Sequence, residues 1–163
     1  DGREMKLLKT VKVGQGPVQL GDGGVEVVVT NRGSGSVSMI HKVNHVVSGE
    51  ITGLKNASAI TDNGATYVTA VDNDSRNPTA IYVLDIVGRR LLQTITKPSP
   101  GQNPWSITAS TGMFPTRVIV GNQWSSTLTY FDKPFPEKEQ PTTVIVGGQP
   151  AAVVYPTLFQ SLQ

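Results

Sequence analysis

His41 and His45 are the only histidines in the chain and stand four residues apart. On a helix that spacing would aim both rings at one metal ion. Here Val37-Ser38-Met39-Ile40-His41 alternates like a strand and runs into a turn, so the pair is expected at the surface or capping that turn. A second oxygen-rich stretch, Asp72-Asn73-Asp74-Ser75-Arg76-Asn77, could offer alternate ligands to Ca²⁺. It lacks the central Gly and distal Glu of an EF-hand loop and reads as a solvated loop of the kind that carries recognition. No metal site is assigned. The chain contains no Cys, which excludes disulfides, a thiolate nucleophile and Cys-ligated metals, and leaves the compartment open. There is no Gly-x-Ser-x-Gly elbow, complete Gly-x-Gly-x-x-Gly cradle or P-loop, so no catalytic residue and no cofactor is assigned. An active site assembled from separate repeats would leave no such local signature, which keeps a multi-repeat enzyme as the alternative function.

The elements that would position these groups are set by a repeat. A Gly-x-x-Pro turn occurs at Gly14-Gln15-Gly16-Pro17, Gly101-Gln102-Asn103-Pro104 and Gly147-Gly148-Gln149-Pro150, with a degenerate copy at Gly53-Leu54-Lys55-Asn56. Periods of roughly 40 to 50 residues are those of propellers and solenoids. A second landmark follows three of these turns: Val28-Val29-Thr30-Asn31, Tyr67-Val68-Thr69-Ala70 and Ile119-Val120-Gly121-Asn122. A third is an alternating strand that closes on a polar residue, His41, Asp85 or Asp132. Each copy reads as four short strands rich in Val, Ile, Thr and Tyr, separated by Gly, Asn, Asp and Pro turns, with no helical periodicity. In the middle copy the expected strands run from Ala57 to Thr61, Thr66 to Val71, Ala80 to Asp85 and Arg90 to Ile95. The expected class is all-β, with four-stranded antiparallel blades.

These segments, Val-Val-Thr-Asn at 28 to 31, Gly-Ser-Val-Ser-Met-Ile at 35 to 40 and Tyr-Val-Thr at 67 to 69, resemble YVTN-family β-propeller repeats, found in surface-layer and periplasmic proteins. The resemblance covers about residues 5 to 155 and implies a WD40-like propeller outside the cytoplasm, periplasmic, secreted or at the cell surface. The chain departs from the family pattern at His41, where Asp is usual, and at Ala70, where Asn is expected. It is also similar to lactonase-like propellers and to the haem d1 propeller of nitrite reductases, although neither family's catalytic or haem residues map onto it residue by residue.

The repeat divides one propeller domain, residues 1–163, into blades at about 14–52, 53–96 and 101–146, with 1–13 and 147–163 expected as parts of flanking blades. Residues 2 to 8 align with the outermost-strand segment from Gly88, and Pro150 to Tyr155 reads as the innermost strand of a further blade. Propellers close with about four to eight blades, so the remainder of the ring is expected from another polypeptide or from the rest of a longer chain.

In propellers the loops that enter the innermost strand and those that join the second and third strands emerge on one face. That face is expected to gather Gln15, Arg32, Asp72, Asp74, Arg76, Gln102, Trp105, Gln123 and Trp124. The binding residues assigned from it are Arg32, Asp72, Asp74, Arg76, Trp105, Gln123 and Trp124, a mixture of charge, amide and aromatic surface suited to a protein or polymer. Trp124 stands where the first blade has Gly33, so the repeat does not require an aromatic there, whereas Trp105 is expected to wedge between blades. The segment from Lys133 to Pro141, with Pro134 and Pro136, reads as an exposed outer turn that resists strand pairing. The hydrophobic fraction of 37% and charged fraction of 16% are those of a globular protein, and no apolar run approaches the ~18 residues of a membrane span. A formal charge of only +2, with Lys and Arg scattered, gives no footprint for nucleic acid. The function expected is a non-catalytic binding or scaffold propeller, with a surface-layer or filament component as a further alternative.

Overall fold

Short runs in which every second residue is aliphatic can bury one face only as strands, and the Gly, Asn and Asp residues between them supply the backbone freedom for tight reversals. The computed structural model describes residues 6–62, 66–70, 79–96, 101–109, 117–132 and 142–152, with the backbone alone for 62, 66–70 and 132. Its described residues form twelve strands in three four-stranded antiparallel sheets. The first sheet holds β1 (Pro17–Gly23), β2 (Glu26–Asn31), β3 (Ser36–His41) and β4 (Val47–Ile51). The second holds β5 (Ala57–Asp62), β6 (Thr66–Ala70), β7 (Ile81–Asp85) and β8 (Arg90–Ile95). The third holds β9 (Pro104–Ala109), β10 (Arg117–Asn122), β11 (Thr127–Asp132) and β12 (Thr142–Ile145). Within each sheet the strands pair in sequence order, an up-and-down meander. The first strands meet one another in turn, β1 on β5 and β5 on β9, so the three sheets, one per copy of the repeat and each termed a blade, pack in chain order.

Two apolar cores lie between the blades. Val28, Val37, Met39 and Ile51 of the first blade meet Ala57, Ile60, Tyr82 and Leu84 of the second, with Leu54 of the connection closing the gap. On the other face of the second blade, Ala59, Ile81, Val83 and Ile95 meet Ile107, Ala109, Val118, Val120 and Phe131 of the third. The middle blade is therefore apolar on both faces, and period-2 alternation divides its β7 residues between the two cores. Hydroxyls tie the blades as well, with Thr30 Oγ1 donating to Ser58 O at 2.7 Å and Thr79 Oγ1 to Gly101 O at 2.9 Å, while Tyr82 Oη donates to Lys55 O at 3.3 Å in the turn that enters its own blade.

Each first strand begins just after a left-handed residue: Gly16 (φ 60°), Asn56 (φ 55°) and Asn103 (φ 51°) precede Pro17, Ala57 and Pro104. The degenerate turn of the middle blade is thus displaced by one residue from its expected register, with Asn56 in the place of Gly16 and Ala57 in that of Pro17. Asn tolerates this conformation, which explains how the turn survives without its usual signature.

Residues 6–13 form no strand. An outer strand forms only against a third strand, and among the described residues none lies beside this segment. Of the strand expected from Pro150 to Tyr155, residues 150–152 are described and form no strand, and the remainder, like the turn from Lys133 to Pro141, lies outside the described residues.

His41 works as a turn cap. Its Nδ1 accepts from the N–H groups of Val43 (3.2 Å) and Asn44 (3.4 Å). The second blade gives the same task to Asp85, whose Oδ1 accepts from Gly88 N at 2.7 Å. His45 and Arg89, both at φ 53°, close these two turns.

Candidate functional site

The loops that enter the first strands and those that join the second to the third come together at one end of each outer blade. In the first blade, Arg32 N donates to Gly16 O and Gly33 N to Gln15 O, both at 2.9 Å. In the third, Gln123 N donates to Asn103 O at 3.0 Å and Trp124 N to Gln102 O at 3.3 Å. Connections leaving the fourth strands join the same end, with Leu54 N donating to Gly35 O and Val146 N to Ser126 O. The equivalence Gly33–Trp124 expected from the repeat is therefore a backbone equivalence too.

Beneath these turns lies a polar clasp that occurs twice. Asn31 Nδ2 donates to Ser36 Oγ (3.2 Å) and Ser38 Oγ (2.8 Å), and Asn122 Nδ2 to Thr127 Oγ1 (3.1 Å) and Thr129 Oγ1 (2.8 Å). Ser34 and Ser125 extend the hydroxyl chains, and each accepts from the entering turn, at Gln15 N (3.1 Å) and Gln102 N (3.4 Å). Both asparagines are fully buried, and the Oδ1 of each is left without a partner. The amides face Gly14 and Gly101, whose missing side chains leave room for them.

On this frame the third blade presents the most distinctive surface. Trp124 is 58% exposed at the turn between β10 and β11. Trp105 was expected between blades but is 39% exposed. It occupies the irregularity where Pro104 pairs with Asn122 and Ser106 with Gly121, a bulge that takes its side chain out of regular alternation. Gln123 is half-buried and its Oε1 accepts from Asn103 Nδ2 at 2.9 Å, so its amide is already held in place. Asn103 is itself buried, with an unpartnered Oδ1. Gln15 and Gln102 are exposed, and Arg32 is half-buried on the first blade. Asp72, Asp74 and Arg76 lie outside the described residues.

Asn103 and Ser125 support this surface and were not among the residues singled out from sequence. The Gln-Asn-Pro tripeptide before Trp105 was the available signal for Asn103.

The acids with shifted titration sit at the opposite end of the blades. The Lys42 ammonium, 2.7 Å from Asp22, and the Gly24 N–H hold the Asp22 carboxyl below its ordinary range. The Gly88 N–H and then Arg90, at 3.1 Å, do the same for Asp85. Both cap turns, Asp22 exposed and Asp85 half-buried, so their shifts report local structure.

No protein-family description matches the chain, and no curated protein matches it. Among the described residues no helix is long and apolar enough to cross a membrane. Among solved structures the chain is similar to hydrazine synthase of Kuenenia stuttgartiensis, a protein with β-propeller domains, with a TM-score of 0.69 and 16% sequence identity. The similarity covers 89% of this chain, which spans 40% of the length of that one. At that identity the likeness carries the fold alone: an all-β chain of four-stranded antiparallel sheets, with a propeller-containing protein as structural neighbour.

Proposed function

We propose that the chain is an arc of a YVTN-type β-propeller that acts as a non-catalytic binding platform outside the cytoplasm and holds a protein or polymer on its loop face. One observation carries the reading. Trp124 is an exposed aromatic side chain on a turn whose twin in the first blade is built with Gly33, so the fold does not ask for it. Trp105 adds a second exposed indole at the same end of the same blade, and the exposed Gln102 and the half-buried Gln123, held by Asn103 from beneath, supply neutral hydrogen-bonding groups around them. Large rigid aromatic groups with fixed amides nearby are the usual anchors of a contact surface. The three ordered landmarks of the repeat support the YVTN assignment, and the extracytoplasmic location follows from that resemblance. The rest of the ring is supplied by another polypeptide or by further length of the same chain.

The test uses a panel of immobilised cell-surface polysaccharides and secreted proteins, probed with the wild-type chain and with Trp124→Gly, which installs the residue the first blade carries. A binder is expected, and the variant should bind it about tenfold or more weakly while keeping its β spectrum. Equal binding by both proteins would remove the loop face from the function.

A further inference from the structure

Leu20, Ile60 and Ile107 occupy one position of the repeat. In the ladders Leu20 pairs with Val29, Ile60 with Val68 and Ile107 with Val120, the second residues of the three matching strand motifs. Ile60 and Ile107 are 4% and 6% exposed, each filling the space against the blade before it. Leu20 is 65% exposed.

The other end of the arc shows the reverse deficit. Val144 pairs with Leu128 as Ile51 pairs with Val37 and Ile95 with Ile81. Ile51 and Ile95 are 4% and 6% exposed and pack toward the following blade, whereas Val144 is 43% exposed. Tyr130 holds the place of the buried Met39 and Val83 but is only half-buried, with the Arg117 guanidinium 5.9 Å above its ring. One end thus carries an unfilled plug and the other an unfilled socket. Between them the arc contains two finished copies of the same interface.

We propose that both end faces are docking surfaces for a further blade of this same repeat, joined head to tail. The blade received at the Val144–Tyr130 face presents a first strand with an aliphatic residue at the Leu20 position. The blade received at the Leu20 face presents aliphatic residues at the Val37 and Ile51 positions and an apolar or aromatic side chain at the Met39 position, as Leu128, Val144 and Tyr130 do in this chain. Continuity with the two existing interfaces identifies this occupant. The inference rests on the ring-completion part of the proposed function and gives it a surface, a polarity and a partner chemistry. Such an interface is heterologous, so copies joined through it form rings where the rotation closes and open chains where it does not.

For the purified chain the available source of such a blade is a second copy, so self-association is the probe. Sedimentation velocity and native mass spectrometry across a concentration series would compare wild type, Leu20→Asp and Val144→Lys. Circular dichroism would confirm that the exposed substitutions leave the fold intact. Wild type should associate with rising concentration, and each variant alone should associate about tenfold or more weakly. An equimolar mixture of the two variants should form a 1:1 heterodimer, because one retains an intact head and the other an intact tail. Wild type that stays monomeric throughout, variants that associate like wild type, or a mixture that stays monomeric would each overturn the proposal. Trp124→Gly should associate like wild type. Association abolished by Trp124→Gly alone would place the contact on the loop face, overturning the end-face proposal while leaving the loop-face reading intact.

Discussion

Three glycine-to-alanine substitutions separate backbone strain from steric exclusion, because the fold uses glycine for different reasons at Gly24, Gly14 and Gly101. At Gly24 φ is +77° and nothing lies within 4 Å of an added Cβ, so alanine meets strain alone, about 1 kcal/mol. At Gly14 φ lies outside the left-handed region, but a Cβ would fall 2.8 Å from Asn31 Cγ and closer still to Ser34 Oγ. Ser34 can rotate away. Asn31 is buried and holds two hydroxyls, so moving it forfeits bonds worth roughly 1–3 kcal/mol together. At Gly101 both causes act: φ is +124°, and a Cβ would lie within 2.6 Å of Asn122 Oδ1. The expected loss there is about 3 kcal/mol or more, against ~1 kcal/mol for Gly24→Ala. For a domain of this size each kcal/mol moves Tm by roughly 2–4 °C, so thermal unfolding followed by circular dichroism should separate the variants by several degrees. A Gly101→Ala protein no less stable than Gly24→Ala would refute the claim that Asn122 is fixed in place by its clasp.

Met39→Ala empties a fully buried site in the first interblade core and should cost about 2–5 kcal/mol by denaturant unfolding, compared with little change for Leu20→Ala. Asp22 and Asp85 have lowered folded values, so their contribution is present above the unfolded carboxylate range, about pH 4, and is lost as pH falls through the folded values. Tm should be flat down to about that pH and then drop, and Asp85→Asn should flatten part of the drop. Burial raises the Tyr82 phenol above its ordinary range, so its contribution is complete below about pH 10 and is lost as pH rises through the folded value. An alkaline melting series on Tyr82→Phe should lack that component.

The blades were legible because four short strands with period-2 alternation leave a strong signal, and three ordered landmarks fixed their repeat. The displaced turn at Asn56 was not, since Asn can take the left-handed place of Gly16 without any Gly or Pro to mark the register. Trp105 was placed between blades because it follows the Pro104 turn, and the irregularity in the ladder from Pro104 to Ser106 leaves it 39% exposed instead. His41 was legible as a turn residue because the strand alternation from Val37 ends there and runs into a turn, which its Nδ1 caps. What the sequence did not display was the contrast between Leu20 and Ile60, because identical aliphatic patterns look alike until one has a neighbour and the other does not.

The loop-face reading depends on open indoles at the end of the third blade, and the chain's only two tryptophans are Trp105 and Trp124. Acrylamide quenching of intrinsic fluorescence, at a concentration low enough to keep the chain monomeric, therefore reports on that surface and nothing else. The expected result is a red-shifted, water-like emission that acrylamide quenches fully, with Trp124→Gly leaving a weaker and still accessible signal from Trp105. A blue-shifted emission shielded from the quencher would mean that the two rings are packed between blades, and the loop face would lose its claim to be a binding surface.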